Sequence, residues 1–208
     1  MGGTPFMVQD HFRVRSDTTA AENGTPVWVG NEDANVEYET DTTFRIRFVA
    51  SNTGDGTPSN NMNLWCSHEG GTYFEITTTS SIVIATDASS SSDNEILTVA
   101  NFELTAGTGT GEDGRYEETG VWAGSISAGG FSEHEMGLSI VDADVSATDT
   151  LDFRMRYTNS DTVFDTYSVT CRITVAAAAS GRVMSKLAGA GGLAGAGGIA
   201  GQGGGLAG

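Results

Sequence analysis

Three histidines, His11, His68 and His134, are the first residues to test for acid–base chemistry. None stands beside a serine or cysteine in a nucleophile motif, and the chain has no nucleophile elbow, phosphate loop or zinc signature. In Glu133-His134-Glu135 the alternation of a strand sends His134 to the face opposite the two glutamates, so it is no triad fragment. Asp142 and Asp144 are a carboxylate pair of the kind a glycosidase uses, but in a chain with 27 acids such pairs arise by chance. With no convergent nucleophile, base and orienting group, we expect no enzyme. The turns Asp142-Ala143-Asp144 and Asn52 to Asp55 offer oxygen ligands to Ca²⁺, yet neither has EF-hand spacing, so solvated turns and no cofactor are expected. Cys66 and Cys171 lack metal-ligand spacing and are expected to be buried thiols, although their strand positions leave open that they face each other.

The arginines are placed with more order. Six of the nine occur as three i, i+2 pairs: Arg13/Arg15, Arg45/Arg47 and Arg154/Arg156. Each pair alternates with apolar residues, most clearly in Thr43-Phe44-Arg45-Ile46-Arg47-Phe48-Val49. Arg172 sits in a fourth alternating stretch, Tyr167 to Ile173. A two-residue period describes a strand buried on one face. If these strands are neighbours, one sheet carries an apolar face and, opposite, a ladder of guanidinium groups that most often meets Asp or Glu. Phe44, Ile46, Phe48, Phe153, Met155 and Ile173 then share a core. Such a ladder suits cross-strand pairing with Glu37/Glu39 or Glu133/Glu135, or recognition of an acidic glycan or acidic subunit. Trp28, Trp65 and Trp122 could form a sugar platform, but Trp65, inside a strand pattern, reads as core or sheet surface.

The remaining elements are strands of the same kind. Pro26–Val29, Val36–Glu39, Met62–Ser67, Thr72–Ile76, Ile82–Ala85, Ile96–Leu104, Phe131–Val141, Leu151–Tyr157 and Thr166–Val175 alternate or run apolar between polar turns. Glu69-Gly70-Gly71 reads as a hairpin turn, and Ser51–Asn61 as an exposed loop. No helical period is sustained before residue 176. The expectation is an all-β fold, an antiparallel β-sandwich of Ig-like or jelly-roll type over residues 10–175, preceded by an arm at 1–9.

Residues 176–208 differ in kind. Leu187, Leu193 and Ile199 lead six-residue Gly/Ala repeats, glycine falls on every third position from Gly189 to Gly204, and Leu206 follows. A helix of three residues per turn aligns those apolar residues on one edge. We expect a Gly-rich tail that acts in assembly, with Leu187, Leu193, Ile199 and Leu206 docking on partners; a plain flexible end is the competing reading.

The charge is −17, with 27 acids against ten basic residues, and all the acids precede the tail. Such a field repels nucleic acid phosphates. Met1–Asp10 has no secretory leader pattern and no apolar run is long enough to span a bilayer, so we expect cytoplasmic synthesis, release by lysis and no membrane insertion.

His11-Phe12-Arg13-Val14-Arg15-Ser16-Asp17, Pro26-Val27-Trp28 and Thr43-Phe44-Arg45-Ile46-Arg47 together resemble a β-rich domain of tailed-bacteriophage virion proteins. That family opens on a Phe-Arg-Trp-Arg-Asn-Asp pattern; here Val14 replaces the tryptophan and Ser16 the asparagine. The hairpin Leu64–Tyr73, the closing Thr166-Tyr167-Ser168-Val169 and the Gly-Leu-Ala-Gly tail fit the same resemblance. It implies a non-enzymatic virion part, either capsid decoration or tail/fibre component, and transfers no catalytic residue. The expected partners are other copies of the chain (a homo-oligomer, with a trimer considered) and other virion proteins. A glycan-binding receptor module for host attachment and a subunit of an extracellular filament are the alternatives.

Overall fold

The computed structural model describes residues 3–17, 24–59, 61–89, 91–122, 124–157 and 163–177. These are all-β and form two multi-stranded sheets. The first contains β1 (Met7–Ser16), β3 (Thr43–Asn52), β6 (Val83–Ala85), β7 (Ile96–Leu97), β8 (Thr110–Gly111), β9 (Gly114–Glu117), β11 (Gly130–Ile140) and β13 (Thr166–Tyr167). The second contains β2 (Val36–Tyr38), β4 (Met62–His68), β5 (Phe74–Glu75), β10 (Val121–Trp122), β12 (Thr150–Tyr157) and β14 (Cys171–Val175). The chain passes back and forth between the sheets, so each grows from strands distant in sequence.

The apolar phase of each arginine-bearing strand points inward, as its alternation demands. Phe44, Ile46, Phe48, Phe153, Met155 and Ile173 are fully buried in one cluster drawn from both sheets. In the first sheet Phe12 pairs with Phe48 and Val14 with Ile46; β11 lies on the other side of β3. In the second, β12 is flanked by β4 and β14. The expected β4–β5 hairpin is present, and its turn explains the glycine: Glu69 and Gly70 both take positive φ, 51° and 69°, while the Gly71 N–H donates to the His68 carbonyl. Two successive left-handed residues give a turn whose twist matches that of the strands.

Several expectations are corrected. The sheets are mixed: the long strands pair antiparallel, but β13 on β1, β8 and β9 on β11, and β2 on β14 run parallel. Short edge strands join from chain crossings and need no hairpin partner, which allows the parallel sense. The single strand expected over residues 166–175 breaks at Ser168–Thr170, because β13 and β14 belong to different sheets. The strand expected at Pro26–Val29 reduces to one bridge between Trp28 and Arg15. β1 starts at Met7, so residues 7–9 of the expected arm are already paired in the first sheet. Leu187, Leu193, Ile199 and Leu206 lie outside the described residues.

Candidate functional site

The one six-arginine ladder expected from the sequence is in fact two clusters. Arg13, Arg15, Arg45 and Arg47 lie on β1 and β3 of the first sheet, whereas Arg154 and Arg156 lie on β12 of the second. Both sheets direct their arginines away from the shared core, so the two clusters face opposite ways. The alternation was legible; which sheet each strand joined was not.

The first cluster is a sealed ion knot. Glu135 stands directly across from Arg47 on the neighbouring strand. Its Oε2 accepts from Arg47 Nε at 2.6 Å, and its Oε1 accepts from Arg15 Nη1 at 3.2 Å and Arg45 Nη1 at 3.4 Å. Arg47 Nη1 donates to Glu133 Oε2 at 3.2 Å, and Arg45 Nη2 to Asp17 Oδ1 at 2.8 Å. The other oxygen of Glu133 accepts the backbone N–H groups of Glu103 and Leu104. Arg15, Arg45, Arg47, Glu133 and Glu135 are all excluded from solvent. Burial alone disfavours the charged carboxylate, but three guanidiniums outweigh it and hold Glu135 below the ordinary glutamate range. Burial has the upper hand at Glu133 and raises its carboxyl, despite Arg47 and the two amides. Arg13 leaves the knot: its Nε donates to the Gly30 carbonyl and its guanidinium lies over Trp28, 4.7 Å from the ring centroid. Of the expected acidic partners Glu133 and Glu135 are correct. Glu37 and Glu39 make no ion pair among the described residues: β2 joins the second sheet, away from the first-sheet arginines, and there β14 stands between it and Arg154 and Arg156 on β12.

The second cluster is a stack, with different chemistry. β12 places Arg154 opposite Trp65 and Arg156 opposite Asn63. The Arg154 guanidinium lies between Tyr167 and Tyr73, 4.8 Å from each ring centroid. Arg156 lies between Tyr73 and Trp65, at 4.8 and 4.9 Å. The order Tyr167–Arg154–Tyr73–Arg156–Trp65 is therefore continuous across the outer face of the sheet. Trp65, Tyr73, Arg154 and Tyr167 are partly exposed. Neighbouring acids are spent elsewhere: Asp152 makes a two-point pair with Arg172, at 2.7 and 2.8 Å, and Glu75 accepts from the Asn63 amide. Arg154 has no ion pair among the described residues, and its Nε has no hydrogen-bond partner. Nothing in the sequence assigns these tyrosines to the arginines: Tyr73 lies just before β5 and Tyr167 in the two-residue β13.

The remaining sequence candidates fall apart in space. Trp28 covers the first sheet, Trp65 the second, and Trp122 is in the core donating to the Glu135 carbonyl, so the three form no platform. His134 and its flanking glutamates take opposite faces as expected: His134 faces inward, its ring 5.5 Å from that of Trp122, and the glutamates point out. Both its ring nitrogens lack partners, and burial, with Arg115 nearby, lowers its pKa to about 3. Cys66 and Cys171 are buried free thiols, pushed up by burial. They sit on either side of Phe153, on the strands flanking β12, so about two strand spacings keep them from bonding. Asp142–Asp144 forms a short 3₁₀ turn in which Asp142 accepts from Thr40. The Asn52 and Asp55 side-chain oxygens accept backbone N–H groups of Phe6, Gly54 and Thr4.

One group has the composition of a metal site. His11, Glu32 and Asp33 bring one ligand atom each to within 4.8 Å of one another. His11 Nδ1 is 2.7 Å from Asp33 Oδ2 and 3.3 Å from Glu32 Oε1, while the second carboxylate oxygens accept from Phe12 N and Thr105 N. The set closes on itself as a histidine–carboxylate pairing. No family model, curated protein or solved structure matches this chain.

Proposed function

We propose that the chain is a non-enzymatic structural protein of a bacteriophage virion, a capsid decoration or tail/fibre component. It displays an Ig-like or jelly-roll sandwich and assembles as a homo-oligomer through its termini. The observation that carries this reading is the sealed ion knot. A dense set of charges is placed where no substrate reaches it, holding β1, β3 and β11 in register. Buried polar groups that satisfy one another specify a single arrangement of strands, which suits a subunit repeated many times in a particle. The resemblance of the Arg-striped strands and the Gly-rich tail to virion proteins supplies the location.

The test is incorporation. Purified particles should contain the chain at fixed stoichiometry, measured by quantitative mass spectrometry. A chain ending at Val175 should fold but be missing from particles if the tail is the assembly element. Particles that lack the chain altogether would refute the virion reading.

A further inference from the structure

The outer face of the first sheet carries two carboxylates that no arginine serves. Among the described residues Glu32 and Asp33 make their ion pairs with His11, one imidazole shared between them. The arginines of the same face are committed elsewhere: Arg15, Arg45 and Arg47 to the ion knot, Arg13 to the Gly30 carbonyl and Trp28. Even a protonated imidazole would leave one of the two negative charges unbalanced. The side chains of His11, Glu32 and Asp33 are 27, 23 and 28 % exposed, so a solvated cation reaches all three.

Two backbone irregularities assemble the set. β1 bulges between Gln9 and His11, where two steps of β1 match one step of β3. Met7 and Gln9 are buried before the bulge and Phe12 and Val14 after it, so the bulge is what turns His11 to the outer face. Asp33 takes a positive φ of 59° and clamps the next residue of β1. Its N–H donates to the Phe12 carbonyl and its Oδ1 accepts the Phe12 N–H, both at 2.9 Å. Glu32 Oε2 accepts the Thr105 N–H at 3.0 Å. Each carboxylate thus has one oxygen fixed by an amide and the other, Asp33 Oδ2 or Glu32 Oε1, turned to His11 Nδ1. Hydrogen bonds of this kind orient the carboxylates of metal sites.

We propose that His11 Nδ1, Glu32 Oε1 and Asp33 Oδ2 bind a Zn²⁺ ion. At the bond lengths of about 2.0–2.2 Å that Zn²⁺ makes with nitrogen and oxygen, the ligand atoms of a tetrahedron stand about 3.3–3.6 Å apart. Nδ1 is 3.3 Å from Glu32 Oε1 and 2.7 Å from Asp33 Oδ2, and all three atoms lie within 4.8 Å of one another. Small side-chain rotations therefore complete the triangle. In the His11–Asp33 hydrogen bond a neutral ring carries its proton on Nδ1, because a carboxylate only accepts. Binding moves that proton to Nε2 and gives the Nδ1 lone pair to the ion. One nitrogen and two oxygens without a thiolate suit Zn²⁺, whereas Ca²⁺ and Mg²⁺ take oxygen ligands. Three protein ligands leave the fourth position to water. The ion clips residues 32–33 to β1. No sequence spacing reveals the set, since His11 and Asp33 are 22 residues apart. The inference stands apart from the virion reading.

Calorimetric titration of the full chain, first stripped with EDTA, with ZnCl₂ tests it. One equivalent should bind, CaCl₂ and MgCl₂ should bind at least about tenfold more weakly, and Tm should rise by about 5–10 °C at Zn²⁺ a hundredfold above Kd. His11→Phe should weaken Zn²⁺ binding by about tenfold or more, as should Glu32→Gln, which keeps an acceptor for the Thr105 N–H. His68→Ala should leave it unchanged. In the unaltered chain, imidazole resonances of labelled histidine should move on Zn²⁺ addition for His11 and stay in place for His68 and His134. That measurement decides the matter even where a variant fails to fold. A chain that gives neither heat nor a rise in Tm up to about 1 mM ZnCl₂ overturns the proposal. So does Zn²⁺ binding that leaves the His11 resonances unmoved, that persists in both His11→Phe and Glu32→Gln, or that Ca²⁺ matches in affinity.

Discussion

Protonation of His134 should set the acid sensitivity of this protein between pH 6.5 and 5. The imidazole is excluded from solvent, neither nitrogen has a hydrogen-bond partner, and the group remains neutral until about pH 3. Around it are Arg115, Ser132, Glu112 and Asp113, which line a small cavity of about 160 Å³ with it, and Trp122 from the facing sheet. In the unfolded chain the same imidazole titrates near its ordinary value of about 6.5. Below that pH the unfolded state binds a proton the folded state refuses, so the stability supplied by neutral His134 is complete above pH 6.5 and falls with falling pH. The slope approaches about 1.4 kcal/mol per pH unit, and the loss at pH 5 is about 2 kcal/mol. For a domain of this size that is about 4–8 °C in Tm. His134→Leu keeps the apolar contact with Trp122 and removes the titration along with two orphan nitrogens. Its stability at pH 7.5 should equal or exceed that of the wild type. Urea unfolding at intervals from pH 7.5 to 5 checks this. His11, His68 and every carboxylate are common to both proteins, so the difference between the two curves isolates His134. Parallel curves for wild type and His134→Leu would refute the reasoning.

Other substitutions probe the scaffold. Glu135→Gln leaves three guanidiniums around a neutral amide in a site without solvent, and chemical denaturation should register a loss of about 3–5 kcal/mol. Because Glu135 is held below the ordinary glutamate range, its contribution persists at neutral pH and disappears only as acid protonates it in the folded state. Phe44→Ala, in the middle of the shared core, should cost about 3–5 kcal/mol in the same assay. Gly114→Ala should be poorly tolerated although its backbone is ordinary. A Cβ there would lie 1.5 Å from the Glu133 carbonyl oxygen, so β9 must move away from β11, and a lowered Tm with altered near-UV dichroism should follow.

Local pattern was enough to establish the strands and their buried phase. In β3 the alternation of Phe44, Ile46 and Phe48 with Arg45 and Arg47 admits one inward face, and the structure buries that face. The left-handed turn at Glu69-Gly70 was legible for the same reason, since it depends on backbone freedom within a few residues. The opposite orientations of His134 and its flanking glutamates also follow from period alone.

Partnership between strands belongs to the tertiary structure. Nothing within a strand states which sheet it joins, so Arg154 and Arg156, identical in pattern to Arg45 and Arg47, end on the far side of the molecule. The difference has chemical consequences. Glu135 reaches three arginines because β11 lies beside β3, across 88 residues of chain from Arg47. Tyr73 and Tyr167 bracket Arg154 because a hairpin and a sheet crossing bring the segment before β5 and the short strand β13 to β12. Side-chain period is a property of the backbone within a segment, whereas these encounters depend on contacts remote in sequence. The residue types were readable from the chain; which arginine is sealed and which is left open was decided by the packing of the sheets.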